Sequence, residues 1–439
     1  MKKSVLTGLG IIGVLSLLVF VFAPRDKLQE IKLPFGSFKT NKEVKEEMRL
    51  ISTENASSYK NGYFYIKQDS RKIMYFDYNT KKEVYLCNKP NCKHDNNTCS
   101  AYLEIGQNNE LFYYNDYLYF VNSEAAGNII SVNFDGTPSK ENEGNPATIY
   151  RMNLNGTDKK KLFTAPSGTQ MFMPYIIKGS FLYSFLETYK LNKDESDAFV
   201  SSVTESKLVA INLDTGTYEV IRDGLHNDFI GEYEDKIVLQ EIEYLKNPDS
   251  FGEDTKGYID NLYHSKTRII VLDPKTKKEE IVYEGLYKSI ETLKFYKDGI
   301  YFIGQNSKKL EYLNFKTKSR ETIKELSNTD YQLLTIIDDK ILISRYKDRN
   351  AYVGEAYVID LKTKDMKEFT LKDKNDYLIK ILSSNDEYYF VKIESILGKE
   401  YTTWAGTKQQ EIIGTNYGLI KKSDYWASQP NYIKMTNAK

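Results

Sequence analysis

Cysteine is almost missing: 439 residues hold three, too few to staple a scaffold of this size, and the odd count cannot pair completely within the chain. Proline is as scarce, at 10 residues, and hydrophobic residues make up 41%, which excludes a wholly disordered or collagen-like chain. No sign of charge prevails: 61 Lys and Arg stand against 61 Asp and Glu. Nucleic acid, which calls for a basic face, is therefore not the expected partner. Chemical signatures are missing too. There is no G-x-S-x-G elbow, G-x-G-x-x-G, P-loop, H-E-x-x-H or EF-hand loop, each of which would carry a recognisable reaction or ligand. What is plentiful is aromatic: 36 Tyr and 21 Phe, residues that suit sheets better than helices.

The first thirty residues stand apart. Met1-Lys2-Lys3 leads into an uncharged run from Ser4 to Pro24, nearly all apolar from Val5 to Ala23. About 20 such residues match a helix crossing roughly 30 Å of hydrocarbon. Lys2 and Lys3 predict a cytoplasmic N-terminus, which puts the rest of the chain outside the cytoplasm. The run reads as a single-pass signal-anchor in the cell membrane over residues 1–24, or as a signal peptide cleaved near Ala23 with secretion of the remainder. No Cys near its end provides a lipid anchor. Residues 25–46 then read as a polar tether.

Beyond the tether the sequence repeats itself. A turn followed by an alternating apolar strand recurs as NGYFYI at Asn61, NDYLYF at Asn115, KGSFLYSF at Lys178 and EDKIVLQE at Glu234. It continues as KDGIYFIG at Lys297, DDKILISR at Asp338 and NDEYYFVK at Asn385, at intervals of 41 to 63 residues. A second element stays in phase with the first: FDYNTKKEVYL from Phe76, NLDTGTYEVI from Asn212, VLDPKTKKEEIV from Val271, DLKTKDMKEFTL from Asp360 and two further copies. Its Asp, Asn, Gly and Thr are hairpin formers, and its charged second half suits an outer strand whose edge must not pair. Such a period fits one four-stranded blade per repeat. The expected fold is all-β: one seven-bladed β-propeller of antiparallel four-stranded blades over residues 47–425, with six or eight blades as alternatives. Residues 426–439 read as a C-terminal tail, and a segment near Glu47–Ser52 is expected to close the ring as an outer strand of the last blade.

In this assignment the first motif is the second strand of each blade and the second motif the hairpin of its third and fourth. Long insertions then separate the second and third strands at Glu124–Ala147, Tyr189–Glu205, Leu245–His264 and Ser395–Ala405, all on one face. Loops on a rigid ring commonly carry function. Tyr189, Tyr244, Tyr258, Tyr263, Tyr401 and Trp404 in these insertions are the candidates for stacking on a sugar or gripping a peptide. The same face receives CNKPNCKHDNNTC, which supplies Cys87, Cys92, His94 and Cys99. Three thiolates and an imidazole complete a tetrahedral set for structural zinc; one disulfide with one free thiol is the other reading outside the cytoplasm.

The repeated Tyr/Phe strand with its N-L-D/N-G-T turn resembles propellers of the YWTD and TolB types. The Cys/His loop between blades is similar to that of uncharacterised extracytoplasmic propellers of low-GC Gram-positive bacteria. That resemblance implies a fold and a compartment and brings no reaction with it. The sequence therefore predicts a membrane-anchored extracytoplasmic propeller, without catalysis, binding a protein or a cell-envelope glycan on its insertion face. The alternatives are a polysaccharide hydrolase or lyase using carboxylates from separate blades, and a metal- or redox-sensing receptor domain built on the cysteine group.

Overall fold

A computed structural model describes residues 48–437, apart from residues 52–55, 60–61, 68–71, 88, 90, 97, 104–108, 123–145, 168, 172, 194–198, 225–226, 252–253, 346–353, 375, 403–407 and 435. Seven sheets follow one another along the chain, each built on four consecutive antiparallel strands. Blade 1 comprises Ala56–Tyr59, Gly62–Lys67, Lys72–Asp77 and Lys82–Tyr85; blade 7 comprises Lys380–Ser384, Tyr388–Thr402, Lys408–Lys421 and Ile433–Lys434. We letter the strands A to D from the innermost outward. All seven copies of the first sequence motif form B strands.

The two motifs work through their turns. Asn115-Asp116, Glu234-Asp235 and Asp338-Asp339 all have positive φ, between 45° and 61°, the conformation of the two-residue hairpin that joins twisted strands A and B. In the C–D hairpins the leading Asp or Asn closes the turn with its own side chain. Asp77 Oδ1 accepts the amides of Asn79 and Thr80, both at 2.8 Å, and Asp273 Oδ1 those of Lys275 and Thr276 at 2.9 and 3.2 Å. Asn212 and Asp360 repeat the bond. Each of these four tips then places its fifth residue at positive φ: Lys81, Gly216, Lys277 and Lys364.

Blades pack face to face, and the hydrophobic core is the set of seams between them. The described residues form seven apolar clusters, and each draws on two neighbouring blades. The seventh joins Tyr63, Tyr65, Met74 and Phe76 of blade 1 to Phe390 and Leu419 of blade 7, so the ring is closed and has seven blades. Strand alternation puts the A–B and C–D turns on one face, here the hairpin face. The B–C and D–A connections form the other, the insertion face.

Closure differs from the expectation. The segment expected as an outer strand of the last blade, Arg49–Ile51, instead pairs with the inner strand Tyr175–Lys178 of blade 3. It therefore lies at the central channel. Glu232 on the neighbouring inner strand accepts the Leu50 amide and faces Arg49; burial holds its carboxyl above the usual range despite both. Blade 7 takes its own strand D from Ile433–Lys434, and Thr436–Asn437 runs on to pair in parallel with Lys82–Glu83 of blade 1. The expected transmembrane segment and tether, residues 1–46, lie outside the described residues. Among the described residues no helix is long and apolar enough to cross a membrane.

Candidate metal centre

The cysteine loop leaves strand D of blade 1 at Tyr85 and reaches strand A of blade 2 at Asn109, on the insertion face. Backbone bonds hold it down: Leu86 donates to Ile73 at 2.9 Å, and Ile73 donates to Ala101 at 2.8 Å. Cys99, Ala101 and Leu103 sink into the seam between blades 1 and 2 beside Leu86 and Leu118, with Cys87 and Cys92 packed against that cluster. The loop folds back through Asn91 and His94, both in left-handed conformation at φ 59° and 55°, which Asn and His adopt more readily than most residues. Asn96 makes the last turn, accepting the Thr98 amide and hydroxyl at 3.0 and 2.6 Å.

These turns bring the ligand atoms of Cys87, Cys92, His94 and Cys99 within 4.8 Å of one another. Nδ1 of His94 lies 3.2 Å from Sγ of Cys99, and the imidazole stacks on the Tyr85 ring at 4.3 Å. Three thiols and an imidazole form a group that can hold a metal ion, and the donor set is that of a thiophilic cation. Sulfur ligands of a tetrahedral zinc centre stand about 3.8 Å apart, from Zn–S bonds of about 2.3 Å, so the widest pairs close by at most about 1 Å while the His94–Cys99 pair opens slightly.

The thiols differ in proton affinity. Burial raises Cys87, but the Lys89 amide, the Ser100 hydroxyl and the other two thiols outweigh it and hold Cys87 below its ordinary value. Burial pushes Cys99 up to about 12, which the Ala101 amide only partly offsets. The sequence marked the four ligands but not Tyr85 or Ser100, whose positions in a strand and a loop carry no pattern that announces a supporting role.

The candidate aromatic contacts are placed otherwise. Tyr244, Tyr258 and Tyr263 all belong to the insertion of blade 4, which folds into the helix Thr255–His264 capped by Asp254. Its tyrosines are half-buried. The hydroxyl of Tyr263 donates to Glu291 at 2.6 Å, Tyr258 meets Phe251 edge-on, and burial together with Tyr258 raises the Tyr244 phenol. Tyr189 and Tyr401 lie on the long B strands of blades 3 and 7, opposite Val203 and Gln409, and the structure does not describe their side chains. Trp404 lies outside the described residues, as does His226. His264 is exposed at the helix end, near Asp260.

No protein-family model matches the chain, and no curated protein matches it in sequence. Solved structures do. A puromycin-hydrolysing peptidase of Mycobacterium tuberculosis is 11% identical with a TM-score of 0.49, over 89% of this chain and 54% of that one. The propeller domain of a trilobed protease from Pyrococcus furiosus, described as having an open velcro topology, is 12% identical with a TM-score of 0.43, over 89% and 99%. TolB of Acinetobacter baumannii is 11% identical with a TM-score of 0.35, over 86% and 78%. What is shared is the propeller fold. The chain spans about half the length of the M. tuberculosis peptidase and 36% of the tricorn protease. One expectation is corrected here. Peptidases recur among the similar structures, with the tricorn protease and a Porphyromonas gingivalis dipeptidyl peptidase 4 beside the one above. That runs against a non-catalytic binder of protein or glycan, and we withdraw that reading in favour of its alternatives.

Proposed function

We propose that this chain is a metal-responsive propeller domain, held at the extracytoplasmic side of a membrane by its N-terminal apolar run, with Cys87, Cys92, His94 and Cys99 as its working centre. The observation that carries the proposal is the convergence of these four ligand atoms within 4.8 Å on a loop anchored in the seam of two blades. Four protein ligands close the coordination sphere of zinc, and the metal would supply a cross-link, with no open position for a substrate. Cys87 and Cys99 tie the two ends of the loop to blade 1 and the seam, and Cys92 and His94 hold its tip. Occupancy thus decides whether the loop on the insertion face is pinned, which is the state such a domain reports. Kinship with the extracytoplasmic propellers of low-GC Gram-positive bacteria belongs to the same proposal and is supported by the apolar run Val5–Ala23 and the Cys/His loop.

The test is a zinc titration of the reduced full-length chain against a chromophoric chelator. One zinc per chain is expected, lost in Cys99→Ser and His94→Ala. Retention of stoichiometric zinc by both variants would overturn the assignment.

A further inference from the structure

The first strand fixes which way the ring faces. Strand A of blade 3 runs from the insertion face to the hairpin face, where it ends in the turn Gly179–Ser180. Arg49 lies opposite Ile177 and Ile51 opposite Tyr175, so the first strand runs the other way. The chain therefore arrives at Met48 from the hairpin face. The carboxylate of Asp235, in the A–B turn of blade 4, accepts the Met48 amide and pairs with Lys178 at 2.9 Å, which places Met48 among those turns. Whatever precedes Met48, the apolar run included, joins the ring on this face.

The same face is rich in lysine. Five of the six C–D tips that repeat the motif carry two or three lysines: Lys81 and Lys82, Lys159 to Lys161, Lys275 with Lys277 and Lys278, Lys316 and Lys318, Lys362 and Lys364. Some are paired, as Lys318 is with Glu280 at 2.8 Å and Lys277 with Glu219 at 3.8 Å. Lys275, Lys278, Lys316 and Lys364 are exposed, and no ion pair engages them among the described residues. Between blades 6 and 7 this face also opens a pocket of about 590 Å³, lined by Lys340, Lys367, Lys422, Ser423 and Trp426 with Asp338 and Asp386. Asp338 is already engaged by Lys422 at 2.9 Å and by the Tyr389 hydroxyl at 2.5 Å. That hydroxyl in turn accepts the indole N–H of Trp426 at 2.8 Å. Lys367 is exposed at the rim.

We propose that the hairpin face is a docking surface for an anionic bilayer, the one its own N-terminal run enters. The metal centre and the insertions then point away from the membrane. The proposal rests on the tethered reading above. The C–D tips favour it, because lysines held near an anionic surface each add to binding, and they act against the carboxylates that the A–B turns bring to the same face, among them Asp116, Glu234, Asp235, Asp338 and Asp339. Chain continuity favours it too, since a tether of roughly two dozen residues keeps the face at high effective concentration over the bilayer.

The experiment uses the full chain with Trp404→Phe, which leaves Trp426 as the only tryptophan, incorporated into nanodiscs that carry a headgroup nitroxide quencher. With phosphatidylglycerol, Trp426 emission is quenched. With phosphatidylcholine alone, or in 0.5 M salt, it recovers. Substituting Gln at Lys275, Lys316 and Lys364 weakens docking by about fivefold per lysine. Equal quenching in both lipids, or none in a chain that has entered the bilayer, overturns the docking surface and leaves the tether standing. A chain that enters neither bilayer overturns the tethered reading and this proposal with it.

Discussion

Zinc should raise the melting temperature of this ring, and the structure sets by how much. A ligand that binds only the native state at about a thousandfold above its dissociation constant stabilises by about 4 kcal/mol. Residues 48–437 unfold with an entropy near 2.1 cal/mol/K each, about 0.8 kcal/mol/K altogether, so the shift should be about 5 °C. Cys99→Ser removes one ligand and leaves a hydroxyl where the thiol was 3% exposed; a buried hydroxyl short of a partner costs about 1–3 kcal/mol, or about 1–4 °C without metal. The reduced variant should therefore melt a little lower and lose most of the zinc response. His94→Ala should lose it as well, together with the stacking on Tyr85. The assay is differential scanning calorimetry of the reduced protein across zinc concentrations from micromolar to millimolar. A wild-type melting temperature that zinc leaves unmoved, or an equal rise in wild type and both variants, refutes the reasoning.

Asp360 holds a C–D hairpin through the amides of Lys362 and Thr363 and through Lys340, and the Lys340 ammonium first, then those amides, hold its carboxyl down at about 2. A depressed native value means that its contribution is complete above about pH 4 and is lost as pH falls towards 2. Asp360→Ala should cost about 1 kcal/mol in urea unfolding at pH 7 and flatten the acid limb, whereas Asp360→Asn keeps the turn and costs less. At Gly299 an added Cβ would stand 2.1 Å from the Leu313 carbonyl oxygen, an immovable partner inside a sheet. Gly299→Ala should lose about 1–3 kcal/mol, and urea unfolding within 0.3 kcal/mol of wild type contradicts that. Glu232→Ala removes the acceptor of the Leu50 amide and the carboxylate facing Arg49. Limited trypsin should then cut after Arg49 faster than in wild type, with Glu232→Gln between the two; unchanged cleavage means that the inner strand is held by its ladder alone.

The blades were legible because their signal is local. In blades 2, 4 and 6 the A–B turn needs two residues at positive φ and uses Asn-Asp, Glu-Asp or Asp-Asp; the apolar strand behind the turn recurs in all seven copies. The C–D tips announce themselves through an Asp or Asn that caps its own turn. The first strand carried no such mark. Arg49-Leu50-Ile51 is three residues long, without alternation or a flanking turn, and its partner lies more than 120 residues away in blade 3. The metal ligands could be read because they lie within 13 residues of one another, from Cys87 to Cys99. The surroundings of the insertion tyrosines were not legible for the opposite reason. Tyr on a loop looks available in sequence, yet Tyr263 is bonded to Glu291 from the next blade, a distant partner that no local pattern reveals.

Part of the tyrosine surplus lies where the ring closes. A ring closed by one blade with strands from both chain ends is held there by a hydrogen-bond ladder. Here blades 1 and 7 each use four strands of their own, and among the described residues the short parallel pair Thr436–Asn437 with Lys82–Glu83 is the one backbone ladder that crosses the join. Side-chain packing must do the rest. Tyr63 meets Phe390 at 4.4 Å, Phe390 stacks on Tyr417 at 5.5 Å and Phe76 lies 5.4 Å from Phe390, large apolar faces whose contacts add to the area they bury. Blade 1 is thus gripped on one side mainly by aromatic contacts. On its other side the seam with blade 2 contains Tyr59, Phe64, Tyr75 and Phe120, and it is there that Cys99 is buried. A metal bound at this point would brace the seam between blades 1 and 2, on the side of blade 1 opposite the join where the ring closes.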